Sequence, residues 1–208
     1  MLSVVKAALD AVMERRARAL VEQVRAALPP DGPLLDLGSG TGHLAAALER
    51  ALGREVVTAD VSDIHVVGRP PVAITDGALP FADGTFAAAL LVFMLAYPRD
   101  PAGVLAEARR VTRGPLVVVQ TVYANRFGHA WHRGREFVWT VVAFHASRLV
   151  GYVPRDARFS MRTRRFYTAD RLQRDVASAG LRVLSRSARP VLPGGALAVA
   201  TWTLGHDG

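Results

Sequence analysis

Cysteine is missing altogether from the 208 residues, and lysine occurs once, as Lys6. Without thiols there is no disulfide, no thiolate zinc site and no cysteine nucleophile, and no metal centre is expected. No apolar run reaches the roughly 18 residues that a membrane-spanning helix requires. Lys6, Asp10 and Glu14 interrupt the stretch where a signal peptide needs its apolar core, so the expected compartment is cytoplasmic. Acids are also scarce in one half. Residues 121–208 hold 14 arginines against Glu136, Asp156, Asp170, Asp175 and Asp207, a net +9, whereas residues 1–120 carry a net −1. Arginine-favouring codon bias and an anionic partner (a charged ligand, a membrane surface or nucleic acid) are the two explanations. With half its residues apolar and 21% charged, the chain is not disordered. Its length suits one α/β domain with an elaboration.

Apolar residues at helical spacing (Val5, Leu9, Val12, Met13, Leu20, Val24) predict an amphipathic helix over 2–28, stopped by Pro29-Pro30. Such a helix either packs on the domain or lies on a membrane. An alternation follows. Leu34–Leu37, Glu55–Asp60, Val72–Thr75, Ala87–Met94 and Leu116–Thr121 read as strands, with helices over 41–52 and 100–111, the latter capped by Asp100. That order predicts a parallel sheet with helices on both faces. Residues 127–153 are apolar and aromatic with no obvious strand. Thr168 caps a further helix, and Leu181–Leu184 and Leu197–Leu204 are two closing strands in a hairpin-like finish.

The informative segment is Asp36-Leu37-Gly38-Ser39-Gly40-Thr41-Gly42-His43. Glycines directly after a strand let the backbone turn sharply and approach a ligand at a helix start. The dinucleotide fingerprint would place its third glycine at His43, so that pattern fails. Asp60 ends the second strand, where a carboxylate can accept both hydroxyls of a ribose. No basic residue stands in 36–49 to meet a pyrophosphate.

This segment, Asp60, the stretch Asp76-Gly77-Ala78-Leu79-Pro80-Phe81 and the Asp100-Pro101 helix together resemble the class I S-adenosylmethionine-dependent methyltransferases. The resemblance is closest to the ubiquinone-biosynthesis and small-molecule branch. It covers about residues 30–121, and Arg165–Leu184 resembles the same branch. It implies a Rossmann-like α/β fold: seven strands, mostly parallel, the last antiparallel, with a helical insertion after the fifth. One methyltransferase domain would span 1–208, divided into an N-terminal helix (1–28), a cofactor-binding core (30–121), a substrate-cap insertion (122–165) and the last helix and strands (166–208). S-adenosylmethionine is the implied cofactor. Asp36 would order its amino group, and Gly38, Gly40 and Gly42 would let the loop pass beneath it, with Ser39 alongside. Asp60 would hold the ribose, with Val61 beside it. Asp76 would accept from the adenine amine next to Gly77, and Phe93 would flank the transferred methyl. Three features depart from the family: a shorter link from Asp76 to Leu79, Ala87 in place of the acid opening the fourth strand, and Ala96-Tyr97 after it.

Methyl transfer from a sulfonium is an in-line displacement that depends mainly on alignment, so a base is optional. Candidate bases are Tyr97, Tyr123, His129 and His132. The apolar run with Phe137, Val138, Trp139, Val141, Val142, Phe144, Leu149, Val150 and Tyr152 would cap the cofactor, complete the core or form an interface. Arg133, Arg135 and Arg148 could aid peripheral membrane docking. Arg155, Arg158, Arg162, Arg164 and Arg165 are a solvated face or a clamp for carboxylate or phosphate. The expected acceptor is a small or lipid-like apolar molecule. RNA methylation, with Phe159, Phe166 and Tyr167 interleaved among the arginines, and cofactor binding without catalysis are the alternatives.

Overall fold

The computed structural model describes residues 2–75, 78–138, 144–153 and 163–206. Continuous apolar runs become strands buried on both faces: β1 (Leu34–Leu37), β4 (Ala88–Val92) and β5 (Leu116–Tyr123). With β2 (Val56–Asp60), β3 (Val72–Ala73), β6 (Leu181–Pro190) and β7 (Leu197–His206) they form one sheet in the order β3-β2-β1-β4-β5-β7-β6. Neighbouring strands among β1–β5 pair in parallel, and β7 runs antiparallel to both β5 and β6.

Each face carries its own core. On one side α1 (Leu2–Val24) and α2 (His43–Leu52) bury Ala17, Val21, Val24, Leu44 and Leu48 against Leu34, Leu90 and Val117. On the other, α3 (Pro101–Val111) and α6 (Ala169–Ser178) bury Leu105, Ala108, Leu172 and Val176 against Leu35, Leu91 and Val118. Only the second half of α1 packs; Val4 and Val12 nearer its start are exposed. The helix ends in a 3₁₀ turn at Arg25–Ala27 rather than continuing to Leu28, because Pro29-Pro30 forbid further helical bonds.

Two caps expected from the sequence are in place. Asp100 accepts from the Gly103 N–H (3.0 Å) and Thr168 from the Arg171 N–H (3.2 Å). Residues 61–71 join β2 to β3 without a helix, as their number requires. The expected third strand is shorter, ending at Ala73, while the closing strands are longer, ten residues each, since their antiparallel pairing continues beyond the part that α6 covers. Within 127–153 the chain forms α4 (Arg126–Phe137) and α5 (Phe144–Leu149).

Tyr167 locks this insertion to the sheet. Its carbonyl accepts from the Tyr123 N–H (2.9 Å), and its fully buried hydroxyl donates to Asp175 Oδ2 (2.7 Å) beside the Leu95 carbonyl. Tyr167→Phe removes one partner of the half-buried Asp175 carboxylate, which keeps Arg165, so unfolding free energy should fall by about 1 kcal/mol. Urea titration should show a lower midpoint with an unchanged slope.

Candidate functional site

The site begins with the turn out of β1. The Gly38 N–H donates to the Ala59 carbonyl (2.8 Å), tying the loop to the end of β2, and the Gly40 N–H donates to Asp60 Oδ2 (2.9 Å). Asp60 also accepts from the Ser62 N–H through Oδ1 (3.1 Å). Burial raises the Asp60 pKa, opposed by these backbone donors. Asp36 beside it is 1% exposed, and among the described residues its Oδ2 meets no donor. Burial first, and the Asp60 charge second, push its pKa up to about 7. A buried carboxylate with an unsatisfied oxygen next to a second acid is prepared for a cationic or donor-bearing ligand.

The three glycines serve different purposes. A Cβ on Gly38 would lie 2.7 Å from Met94 Cβ, and one on Gly42 would lie 2.3 Å from the Val67 carbonyl oxygen, so these two make room for the protein itself. Gly42 accordingly faces a separate, smaller hollow with His65. Only Gly40, at φ +57°, would project a side chain into open space. A left-handed residue that is not glycine, Phe93 at φ +56°, follows β4 directly, held by its N–H on the Val119 carbonyl (2.7 Å). A non-glycine residue in this region carries strain of about 1–2 kcal/mol, a feature that gathers at functional sites.

These groups share one cavity of about 1140 Å³ across the carboxyl ends of β1, β2, β4 and β5. Asp36, Gly38, Ser39, Gly40, Asp60, Val61 and Phe93 all line it. Asp76 and Gly77 lie outside the described residues; the segment after them is held on α3, where Arg110 donates to Glu107, Asp83 and the Phe81 carbonyl.

Of the four candidate bases, two reach the cavity. The Tyr97 hydroxyl donates to Glu136 Oε1 (2.8 Å), and burial, then the Glu136 charge, hold its pKa above the usual phenol value, so it keeps its proton. His132 is 4% exposed, its Nδ1 meets no partner among the described residues, and burial lowers its pKa to about 4, leaving a neutral imidazole. Tyr123 and His129 pack on each other at 4.7 Å between ring centres, and neither is among the residues lining the cavity.

Sequence reasoning missed several cavity residues. Glu136 accepts from both Tyr97 and Thr163 (3.0 Å). His43 Nε2 lies 2.8 Å from Asp10 Oδ1, and the Tyr152 hydroxyl donates to the same oxygen (3.3 Å). This joint ties α1, the glycine loop and the insertion together. Arg16 and Gln23 of α1 and Gln120 of β5 also line the cavity. No local pattern marks them, because they meet only through folding. Of the insertion, Val138, Tyr152 and Val153 line the cavity, Phe137 and Leu149 are exposed, and Trp139, Val141 and Val142 lie outside the described residues. Exposed Phe127 and Trp131 share the α4 surface with Arg133. Arg164 lines the cavity and Arg165 pairs with Asp175 (3.3 Å), while Arg155, Arg158 and Arg162 lie outside the described residues. Among the described residues no cluster could hold a metal ion, and no helix is long and apolar enough to cross a membrane.

A family model described as a methyltransferase domain matches residues 9–186. The chain is 30% identical over 182 residues to an uncharacterized protein of Mycobacterium tuberculosis, covering 85% of this chain and 55% of that protein. It is 38% identical over 115 residues to the demethylmenaquinone methyltransferase of Renibacterium salmoninarum, covering 51% of this chain and 48% of that enzyme. The chain thus spans about half the length of the curated relatives it matches. Geranyl diphosphate C-methyltransferase from Streptomyces coelicolor A3(2), solved with Mg²⁺, geranyl diphosphate and S-adenosylhomocysteine, has the same fold. It superposes with a TM-score of 0.59 at 13% identity, covering 91% of this chain and 80% of that one.

The Asp36 shift has a sign that can be measured. Its folded pKa of about 7 exceeds the ordinary 3.8, so the native state binds the extra proton between these values. Stability therefore falls as pH rises through that window and levels off above it. Asp36→Asn should flatten most of this slope and stabilise the protein above about pH 7 by at most about 4 kcal/mol. Thermal melts of both proteins from about pH 5 to pH 8 check it.

Proposed function

Because the chain belongs to the methyltransferase domain family, we propose that it moves the methyl group of S-adenosylmethionine onto a small acceptor with an apolar body. One observation carries this reading: Asp36, Gly40 and Asp60 line a single cavity, and of the three loop glycines Gly40 is the one that faces open space. The donor set fits the cofactor. Asp36 Oδ2 is an acceptor for an ammonium group, Asp60 retains lone pairs for vicinal hydroxyls, and the carbons of Gly40 leave room for a nucleoside. When bound, S-adenosylmethionine supplies an electrophilic methyl on a positively charged sulfur, and the leaving thioether is neutral.

The chain's own residues then position and exclude. Phe93 stands at the end of β4, where an acceptor and a methyl donor would meet, and its strained backbone fixes the ring's direction. Leu9, Met13, Leu20, Ile64, Val138 and Val153 give the remaining cavity an apolar lining suited to a hydrophobic acceptor and to keeping water out. His132 is neutral with Nδ1 unpartnered among the described residues, but that nitrogen is buried and its lowered pKa makes it a weak base, so alignment rather than a base carries the transfer. The curated relative that acts on demethylmenaquinone supports an apolar acceptor. RNA has less support: Tyr167 is fully buried and Phe166 packs against His129 and His132, while Phe159 lies outside the described residues.

Calorimetric titration with S-adenosylmethionine, S-adenosylhomocysteine and NAD tests the assignment. Both sulfur nucleosides should bind and NAD should not. Gly40→Val should weaken binding at least about 100-fold, while the forced left-handed valine lowers stability by about 1–2 kcal/mol without unfolding the protein. Unchanged binding by the variant, or a preference for NAD, overturns the reading. Binding without turnover on any acceptor pool would identify a cofactor-binding module instead.

A further inference from the structure

Asp36 and Asp60 line the cavity from β1 and β2, Glu107 and Glu136 from α3 and α4, and arginines from three separate elements, Arg16 of α1, Arg135 of α4 and Arg189 of β6, line it as well. Strand register explains why they converge. Thr121 of β5 lies opposite Val199 of β7, and Val199 lies opposite Arg189, so the three form one cross-strand row. Arg135 reaches this row from the insertion, its Nη2 donating to Thr121 Oγ1 at 3.5 Å. Arg16 arrives from the other side. It shares a helix face with Leu20 and Gln23, and the Gln23 amide donates to Thr201 Oγ1, two residues along β7 from Val199.

The electrostatics agree with the geometry. Arg16 keeps contact with the cavity's solvent, yet its guanidinium is held below the usual arginine range, first by surrounding protein and second by the Arg135 charge. The carboxylate next to Arg135 in sequence, Glu136, accepts from the Tyr97 and Thr163 hydroxyls. Guanidinium groups and a threonine hydroxyl are the donor types that carboxylates and phosphates take.

We infer that this wall is an anion subsite, in which Arg16, Arg135, Arg189 and Thr121 hold a carboxylate or phosphate group of the methyl acceptor. The acceptor is thus amphiphilic: its charged end sits on the arginines and its apolar body runs along Met13 and Leu20 toward Phe93. The identity of this ligand as the acceptor rests on the function proposed above; the subsite itself is testable apart from it.

The probes are decyl phosphate, decanoate, decanol and inorganic phosphate, titrated calorimetrically with and without saturating S-adenosylhomocysteine. Decyl phosphate should bind best and decanol at least about 10-fold more weakly. Inorganic phosphate should be weaker still, since it lacks the apolar body. Arg16→Gln and Arg135→Gln should each weaken decyl phosphate about 10- to 100-fold without changing S-adenosylhomocysteine affinity. Arg135→Lys should recover part of the loss. Arg18→Gln, an exposed change on the same helix, should bind like the parent protein, and far-UV circular dichroism checks each fold.

Equal binding of decanol, no saturable binding of decyl phosphate below about 1 mM, or undiminished binding by both glutamine variants overturns the subsite. Inorganic phosphate binding as tightly as decyl phosphate would overturn its assignment to the acceptor. Failure of S-adenosylhomocysteine alone would instead remove the proposed function, and the probe series without it would still read the arginines.

Discussion

The hydrogen bond from the Gly40 N–H to the Asp60 carboxylate is the constraint on which the site depends. It joins the turn after β1 to the end of β2, and so fixes the distance between two chain segments that the sheet merely brings alongside. One residue of the loop must then be left-handed and side-chain-free toward the cavity, a condition that only Gly40 meets. The same bond draws a second carboxylate toward Asp36, raising the cost of its charge. A ligand that brings a positive charge and hydroxyl donors relieves both effects together. The loop geometry and the electrostatic disposition of the site therefore have one cause.

The cavity's remaining walls follow from the order of the strands. Because β5 lies between β4 and the β6–β7 pair, its carboxyl end is reached by α1, by α4 and by side chains across the sheet at the same point. Asp36 and Asp60 of β1 and β2 and the arginines of α1, α4 and β6 thus line one cavity. The acceptor proposed above and a cationic cofactor would meet differently charged groups there.

Much of this was legible in the sequence, and the limits have physical reasons. Continuous apolar runs and caps at Asp100 and Thr168 are local signals, and the parallel sheet with helices on both faces followed from their alternation. Asp36, Gly40 and Asp60 could be read because a tight turn needs glycine and a strand end aims its acid at the ligand. The purposes of Gly38 and Gly42 could not be read: a missing side chain makes room equally well for a ligand, for Met94 or for the Val67 backbone. Tyr97 and Tyr123 look alike as residues after a strand or at its end, yet one faces Glu136 in the cavity and the other stacks on His129. Arg16 and Arg135 are more than a hundred residues apart, and only the fold brings both to the lining of one cavity.

The edge strand β6 carries a further consequence. Its ten residues are mostly exposed, with Arg182, Arg186 and Arg189 along them, a register shift near its start and Pro190 at its end. Unsatisfied peptide groups on such a border would otherwise recruit a strand from another molecule. Like-charge repulsion, the local irregularity and the missing amide hydrogen of proline all oppose that. The border is thereby ill suited to stacking strand on strand into fibrils.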